Sequence, residues 1–101
     1  MPSPTLDSTQ TQAVLELTVN NHAGVMSHIC GLFARRAYNV EGIACLPIGD
    51  GARSRIWLLV NEDQRLDQVE KQVLKLEDVL AIRRHPADHA VFARLEEFFQ
   101  E

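Results

Sequence analysis

The sequence is poor in cysteine, in aromatic side chains and in uninterrupted apolar stretches. Its two cysteines, Cys30 and Cys45, are too few for a disulfide framework and have neither CxxC nor zinc-ligand spacing. A small domain without disulfides is typical of a reducing compartment. No apolar run approaches the roughly 20 residues of a membrane span, and residues 1–12 lack the basic and apolar regions of a secretory signal. We therefore expect a soluble, cytoplasmic protein.

Positive charge is also scarce. Ten Lys and Arg stand against fourteen Asp and Glu, which gives a formal net charge of −4. This balance argues against a broad surface for nucleic acid or for anionic lipid. The first predicted strand has no aromatic residue for base stacking, and the pairs Arg35-Arg36 and Arg83-Arg84 are isolated in an acidic chain. The sequence predicts neither a nucleic-acid nor a membrane partner.

Motifs for catalysis are missing as well. There is no Walker loop, no dinucleotide fingerprint and no Gly-x-Ser-x-Gly. His85 and His89 are four residues apart, but Pro86 between them interrupts a shared helical face, so we do not expect a metal site there. The cysteines lie among apolar residues and are expected to fill the core. The chain, at 101 residues, is predicted to be no enzyme and to hold no cofactor or metal of its own.

Regular patterns of apolar residues begin at Ala13, where strict alternation places Leu15 and Leu17 on one face of a strand. The predicted elements follow in chain order: a strand over 13–19, a helix over 25–38 that Asn39 closes, strands over 40–48 and 54–61 joined by a short turn, a helix with an apolar stripe over 66–76, and a strand over 79–85. This order predicts an α+β, ferredoxin-like βαββαβ domain, in which an antiparallel four-stranded sheet carries both helices on one face.

The domain is expected to span 13–85, after a disordered N-terminal segment over 1–12 and before a C-terminal amphipathic helix or tail over 86–101. The apolar stripe of that tail must dock, whether on its own sheet, on a sister subunit or on another protein. The sheet face without helices is too apolar to remain free, so it is expected to be paired. It carries Val14, Thr18, Trp57 and Leu59.

The loop from Asn21 to Gly24 leads directly into the first predicted helix. The first turn of a helix has unpaired N–H groups and partial positive charge, which suit a carboxylate. Glycine at position 24 allows a ligand to approach the backbone closely. The alternative is that the loop residues only form the turn and the helix cap.

The segment Asn21-His-Ala-Gly-Val25, followed by Cys30-Gly-Leu-Phe-Ala-Arg-Arg-Ala-Tyr-Asn-Val-Glu-Gly42, resembles the amino-acid-binding ACT domain. More narrowly, it resembles the small regulatory subunit of acetohydroxyacid synthase (AHAS, or acetolactate synthase) in its short single-domain form. The likeness covers 13–85 and includes Cys45-Leu-Pro47, Ile56-Trp-Leu-Leu-Val60, Asp63-Gln-Arg-Leu66 and Lys75-Leu-Glu-Asp-Val79.

This resemblance implies a homodimer that has no active site and regulates a catalytic large subunit. The large subunit holds thiamine diphosphate, Mg²⁺ and FAD; the small subunit activates it and confers feedback inhibition by valine in branched-chain amino-acid biosynthesis. The resemblance further implies that valine binds at the dimer interface, between the loop of one chain and the start of the second strand of the other. The implied ligand-binding residues are Asn21, Ala23, Gly24, Val25 and Met26 on the loop side, and Asn39, Val40 and Ile43 on the facing side.

The chemistry of these residues suits valine. The amide oxygens of Asn21 and Asn39 can accept from the ammonium group, and Val25, Met26 and Ile43 can form an apolar wall for the isopropyl group. His22, next to Asn21 in the loop, is expected to remain in solvent. The alternative function is a free-standing ACT-domain amino-acid sensor that regulates a different enzyme or a transcription factor.

Overall fold

The computed structural model describes residues 11–99. Seven elements follow one another: β1 (Thr11–Asn20), α1 (Val25–Arg35), β2 (Val40–Ile48), β3 (Arg53–Glu62), α2 (Leu66–Leu74), β4 (Val79–Pro86) and α3 (Ala90–Glu96). No helix in this part of the chain is long and apolar enough to cross a membrane.

The four strands form one antiparallel sheet in the order β2-β3-β1-β4, which confirms the predicted ferredoxin-like fold. Leu15 and Leu17 of β1 lie opposite Leu58 and Ile56 of β3, and all four side chains are at most 1% exposed. Their face packs against the apolar stripes of α1 and α2, which include Ile29, Phe33, Val69 and Val73. This single core contains the buried side chains that the local periodicity predicts.

Two predicted boundaries were wrong. β1 begins at Thr11 rather than at Ala13, so it includes the last two residues of the segment predicted to be disordered; residues 1–10 lie outside the described part. α1 ends at Arg35, and the residue with left-handed backbone geometry is Ala37, with φ of 58°, rather than Asn39.

Tyr38 explains the early end of α1. Its backbone N–H donates to the carbonyl of Phe33 over 2.8 Å, and its hydroxyl donates to Asp63 Oδ1 over 2.7 Å. The side chain is only 4% exposed. These contacts pull the chain away from the helical path immediately after Arg36, and Ala37 takes the strained conformation that this reversal requires.

Arg84 joins the sheet to α2. Its guanidinium contacts three carboxylates, Glu70 at 2.7 Å, Glu62 at 3.0 Å and Asp67 at 2.6 Å. The hydrogen bonds, led by the one to Glu70, raise the pKa of Arg84 above its already high ordinary value. A planar guanidinium with donors on several sides can satisfy three acceptors at once, which a lysine cannot do with the same geometry.

The helix α3 lies against the other sheet face of its own chain, which answers the question that the sequence left open. A Cβ atom built on Gly42 would lie 3.0 Å from Cε1 of Phe92, so the helix approaches β2 closely. The ring of His89, which caps α3 by accepting from the N–H of Val91, lies 4.8 Å from the ring of Trp57. This face is therefore partly covered from within the chain, and Val14 on it is fully buried.

Candidate ligand-binding site

The loop between β1 and α1 is fixed by contacts with two other parts of the fold. The N–H of Asn21 donates to the carbonyl of Ala52 over 3.0 Å, and its Nδ2 donates to the carbonyl of Gly51 over 2.8 Å. On the other side, the N–H of Asn20 donates to the carbonyl of Asp78 over 2.8 Å. The loop is thus held by the β2–β3 turn and by the residue that precedes β4, so its shape is set before any ligand arrives.

Gly24, the N-cap residue immediately before α1, has a left-handed conformation with φ of 88°. The space where its Cβ would lie is open to 4 Å. Glycine is favoured here by the backbone angle and not by crowding within the chain, because most L-residues are strained at positive φ. The open space leaves room for a ligand beside the backbone.

The first turn of α1 has free hydrogen-bond donors. No side chain caps the helix and no acidic residue lies in its first turn. Within residues 11–99, the N–H groups of Met26 and Ser27 meet no acceptor. Asn21, Ala23 and Gly24 are exposed beside them. An exposed helix start with free N–H donors suits a carboxylate, the ligand group that the sequence predicts for this position.

His22 is exposed as expected, but it is not without a partner. Its Nδ1 lies 2.9 Å from Asp78 Oδ1, with 65% of the side chain exposed. The Nδ2 of Asn20 also donates to this carboxylate oxygen, over 3.3 Å. Because Asp78 lies far along the chain, sequence reasoning missed this contact. His22 turns toward the start of β4 and leaves the open side of the loop to Ala23 and Gly24.

The second group of predicted residues lies at the start of β2. Val40 pairs with Val60, and Ile43 pairs with Leu58. Since both partners belong to the core, Val40 and Ile43 lie on the helix-bearing face. Val40 is half-buried, whereas Ile43 is 43% exposed at the free edge of the sheet. The two can form an apolar wall at that edge.

Asn39 stands exposed beside this wall. Its Nδ2 donates to Oε2 of Glu41, which leaves its Oδ1 to act as an acceptor. Met26 on the loop side packs against the core and is half-buried, and Val25 is 5% exposed. Val40 pairs with Val60, which pairs with Ala13 near the start of β1, whereas the loop follows Asn20 at the end of β1. The two groups therefore lie at opposite ends of the sheet in one chain.

A second cluster was missed by the sequence reasoning. The rings of His85 and His89 lie 4.7 Å apart and both contact the ring of Trp57. The Nε2 of His85 lies 2.8 Å from Glu16 Oε1, and Glu16 also pairs with Arg55. Pro86 does interrupt the helical spacing, but the turn after β4 folds His89 back over His85. In the described residues, no three His, Cys, Asp or Glu side chains are placed to hold a metal ion.

The prediction that both cysteines fill the core was wrong for Cys45. Cys30 is half-buried on α1, whereas Cys45 is exposed on β2, and both are free thiols. The reason is that β2 is an edge strand, so side chains on it lack a neighbouring strand on one side.

Comparisons with known proteins identify relatives that match most of this chain. The family described as "AHAS small subunit-like ACT domain" matches residues 15–81. The chain is 57% identical over 94 residues to the acetolactate synthase isozyme 1 small subunit of Escherichia coli K12, which covers 93% of this chain and 98% of that one. It is 37% identical over 70 residues to the isozyme 3 small subunit of the same organism, covering 68% of this chain and 43% of that protein.

Solved structures give the same result. The crystal structure of the acetolactate synthase small subunit from Thermotoga maritima superposes with a TM-score of 0.65 at 31% identity, over 72% of this chain and 46% of that chain. The regulatory subunit of aspartate kinase from Thermus flavus has a TM-score of 0.63 at 18% identity, over 76% of this chain and 52% of that chain. The latter likeness shows the fold alone.

Proposed function

Because the chain belongs to the family of acetohydroxyacid synthase small-subunit ACT domains, we propose that it is the non-catalytic regulatory subunit of an acetolactate synthase. In this role it binds the catalytic large subunit, activates it and makes it sensitive to valine, the end product of branched-chain amino-acid biosynthesis. The observation that carries the proposal is the 57% identity to an isozyme 1 small subunit across 93% of the chain.

Valine binding is supported by the chemistry of the loop. The free N–H groups of Met26 and Ser27 at the start of α1 suit the carboxylate, and each such charged hydrogen bond contributes about 1.5–3 kcal/mol before entropic losses. The hydrogen bonds of Asn21 and Asn39 use only the Nδ2 atom of each side chain. The Oδ1 atoms are therefore available to accept from the ammonium group. An isopropyl group then meets the apolar wall.

The site is completed in a homodimer. The loop group and the β2 group are separate within one chain, and a second copy can bring its own Asn39, Val40 and Ile43 to the loop of the first. Discrimination among branched side chains rests on the apolar wall, where one methylene changes affinity by about 0.8 kcal/mol. We therefore expect leucine and isoleucine to bind more weakly than valine but measurably.

The cofactors of the reaction belong to the partner. Thiamine diphosphate, Mg²⁺ and FAD are expected in the catalytic large subunit in the cytoplasm, and this chain supplies no residue to them. The proposal is thus a division of labour, in which one polypeptide performs the chemistry and the other senses the product.

Co-purification with the acetolactate synthase catalytic chain of the same organism tests the proposal. We expect the tagged chain to retain that catalytic chain, to raise its acetolactate synthase activity and to make the activity fall when valine is added. Gly24→Asp is the matched variant: it should retain the catalytic chain but lose the response to valine.

Two results would contradict the proposal. If the catalytic chain neither binds nor gains activity, the regulatory-subunit role fails and a free-standing sensor becomes the better description. If activity rises but does not respond to valine in the unaltered protein, the partner assignment stands and the effector assignment fails.

A further inference from the structure

A basic depression lies at the opposite end of α1 from the ligand loop. It is formed where the C-terminal end of α1 meets the N-terminal end of α2, and it encloses about 600 Å³. Three arginines, Arg35, Arg36 and Arg65, and two glutamines, Gln64 and Gln68, line it. No carboxylate among the described residues lines this depression, although the chain as a whole carries a net charge of −4.

Two of the three guanidinium groups are held in place, that of Arg36 by a neutral acceptor and that of Arg65 by a carboxylate. The Nε of Arg36 donates to Oε1 of Gln72 over 2.9 Å, and this neutral acceptor does not cancel its charge. Arg65 pairs with Asp63 at 3.1 Å, donates to the carbonyl of Arg36 over 3.2 Å and stacks on the ring of Tyr38. Side chains that are ordered beforehand lose less entropy when a partner binds.

The available donors favour carboxylates over phosphate. Helix N-termini bind phosphate through free backbone N–H groups, but two carboxylates, Asp63 and Asp67, lie at the start of α2 and repel phosphate there. The carbonyl of Asp63 accepts from the N–H of Leu66 over 3.1 Å, and its Oδ1 accepts from the N–H of Arg65 over 2.8 Å. Among the described residues, the guanidinium group of Arg35 and the terminal nitrogens of Arg36 have no acceptor. Such groups match carboxylates in paired, two-point contacts.

The position of the depression connects it to the ligand site. α1 has 11 residues and is therefore about 16 Å long, which separates the depression from Gly24. The segment after α1 runs from Arg36 in the depression, through the strained Ala37 (φ 58°), to Asn39 of the facing ligand group.

We propose that this basic depression docks an acidic segment of the catalytic subunit. The inference rests on the regulatory function proposed above and names the part of this chain that its partner contacts. Occupancy of Asn39 by valine and contact at Arg36 then bias the same segment, so each affects the affinity of the other.

Charge reversal tests the docking. The double variant Arg35→Glu/Arg36→Glu should weaken association with the catalytic subunit about tenfold or more and reduce its dependence on salt. The matched control is Arg83→Glu/Arg94→Glu, which changes the net charge equally at two exposed arginines outside the depression. The control should keep its affinity within about twofold. Circular dichroism and valine titration of the isolated small subunit should be unchanged in both.

Each other outcome overturns the inference. Equal weakening in the two double variants indicates a general charge effect rather than this depression. Unchanged affinity in Arg35→Glu/Arg36→Glu, while the unaltered chain binds the catalytic subunit, removes the docking surface but leaves the regulatory function intact; failure of the unaltered chain to bind removes both. Calorimetric titration with pyrophosphate provides a further arm, because tight binding that the variant abolishes would identify a small-ligand phosphate site instead.

Discussion

Gly24 is the residue on which the proposed site depends most directly. Its φ of 88° places it among conformations that cost most side chains energy, yet nothing within 4 Å would meet a Cβ there. Asn and Asp tolerate this region better than other residues do. Because the two have nearly the same size but differ in charge, the position allows the electrostatic requirement of the site to be separated from the backbone requirement.

We predict that Gly24→Asn retains valine binding within a few-fold, whereas Gly24→Asp weakens it at least tenfold. Both variants can adopt the left-handed conformation, but only the aspartate places a negative charge beside the ligand carboxylate. Titration calorimetry with valine measures the difference, and circular dichroism verifies the fold. Equal affinities in the two variants would refute the placement of the carboxylate at the start of α1.

Tyr38 gives a second prediction at the residue scale, since it is the only tyrosine in the chain. Burial and its hydrogen bond to Asp63 raise the pKa of Tyr38 from 10.0 to about 12, while that same bond and Arg65 lower the pKa of Asp63. The raised value means that the contribution of Tyr38 to stability is complete below pH 10 and is lost as the pH rises toward 12.

The ultraviolet absorbance of tyrosinate measures this titration without interference from other residues. In the folded protein we expect a midpoint near 12, and in denaturant a midpoint of about 10. Asp63→Asn should lower the folded midpoint, because it removes a negative charge and changes the acceptor. A folded protein, verified by circular dichroism, that titrates near 10 would show that the contact with Asp63 does not form.

At the scale of single elements, α3 is a helix of 7 residues without a fully buried side chain. A helix this short is not stable alone, so it depends on contacts with β2 and β3. Phe92 packs against Gly42, while Phe98 and Phe99 remain 83% and 79% exposed. The docking of the helix therefore depends on Phe92 and on the stacking of His89 upon Trp57.

We predict that Phe92→Ala detaches α3 and shifts the fluorescence of Trp57, the only tryptophan in the chain, to longer wavelength as water reaches the indole. The cost in stability should be about 1–2 kcal/mol, below the ~3–5 kcal/mol of a fully buried phenylalanine. Phe99→Ala, on the same segment but exposed, should leave the emission unchanged. Deletion of residues 87–101 should reproduce the shift, and identical spectra in all forms would contradict the docking.

The elements also show which features can be read from the sequence. The burial of Leu15 and Leu17 follows from a local period of two and was predicted. The end of α1 was not predicted, because it is set by Tyr38, whose hydroxyl donates to Asp63, a residue distant in sequence. The exposure of Cys45 depends on which strand lies at the edge, and an alternating pattern does not contain that information.

At the scale of the whole molecule, the proposed ligand residues form two groups, and each chain has one copy of each group. The loop side, at the start of α1, supplies donors for a carboxylate; the β2 side supplies an apolar wall and an amide oxygen. The motif of the loop residues can be recognised in the sequence. Whether the two groups come together depends on how two copies associate, which the sequence of one chain does not specify. In the symmetric dimer proposed above, each group of one copy lies against the other group of its partner, so the dimer has two equivalent sites.

Mixing two defective variants tests this arrangement. Gly24→Asp damages the loop side, and Ile43→Arg damages the facing side at a position that is 43% exposed and should fold normally. Each homodimer alone should fail to bind valine. After unfolding and refolding together in equal amounts, half of the dimers combine the two variants, and each has one site built from two intact sides. We therefore expect about a quarter of all sites to bind valine with unaltered affinity.

Calorimetry gives the stoichiometry, and gel filtration verifies that both variants still form dimers. No recovery of binding in verified mixed dimers would place the site within one chain.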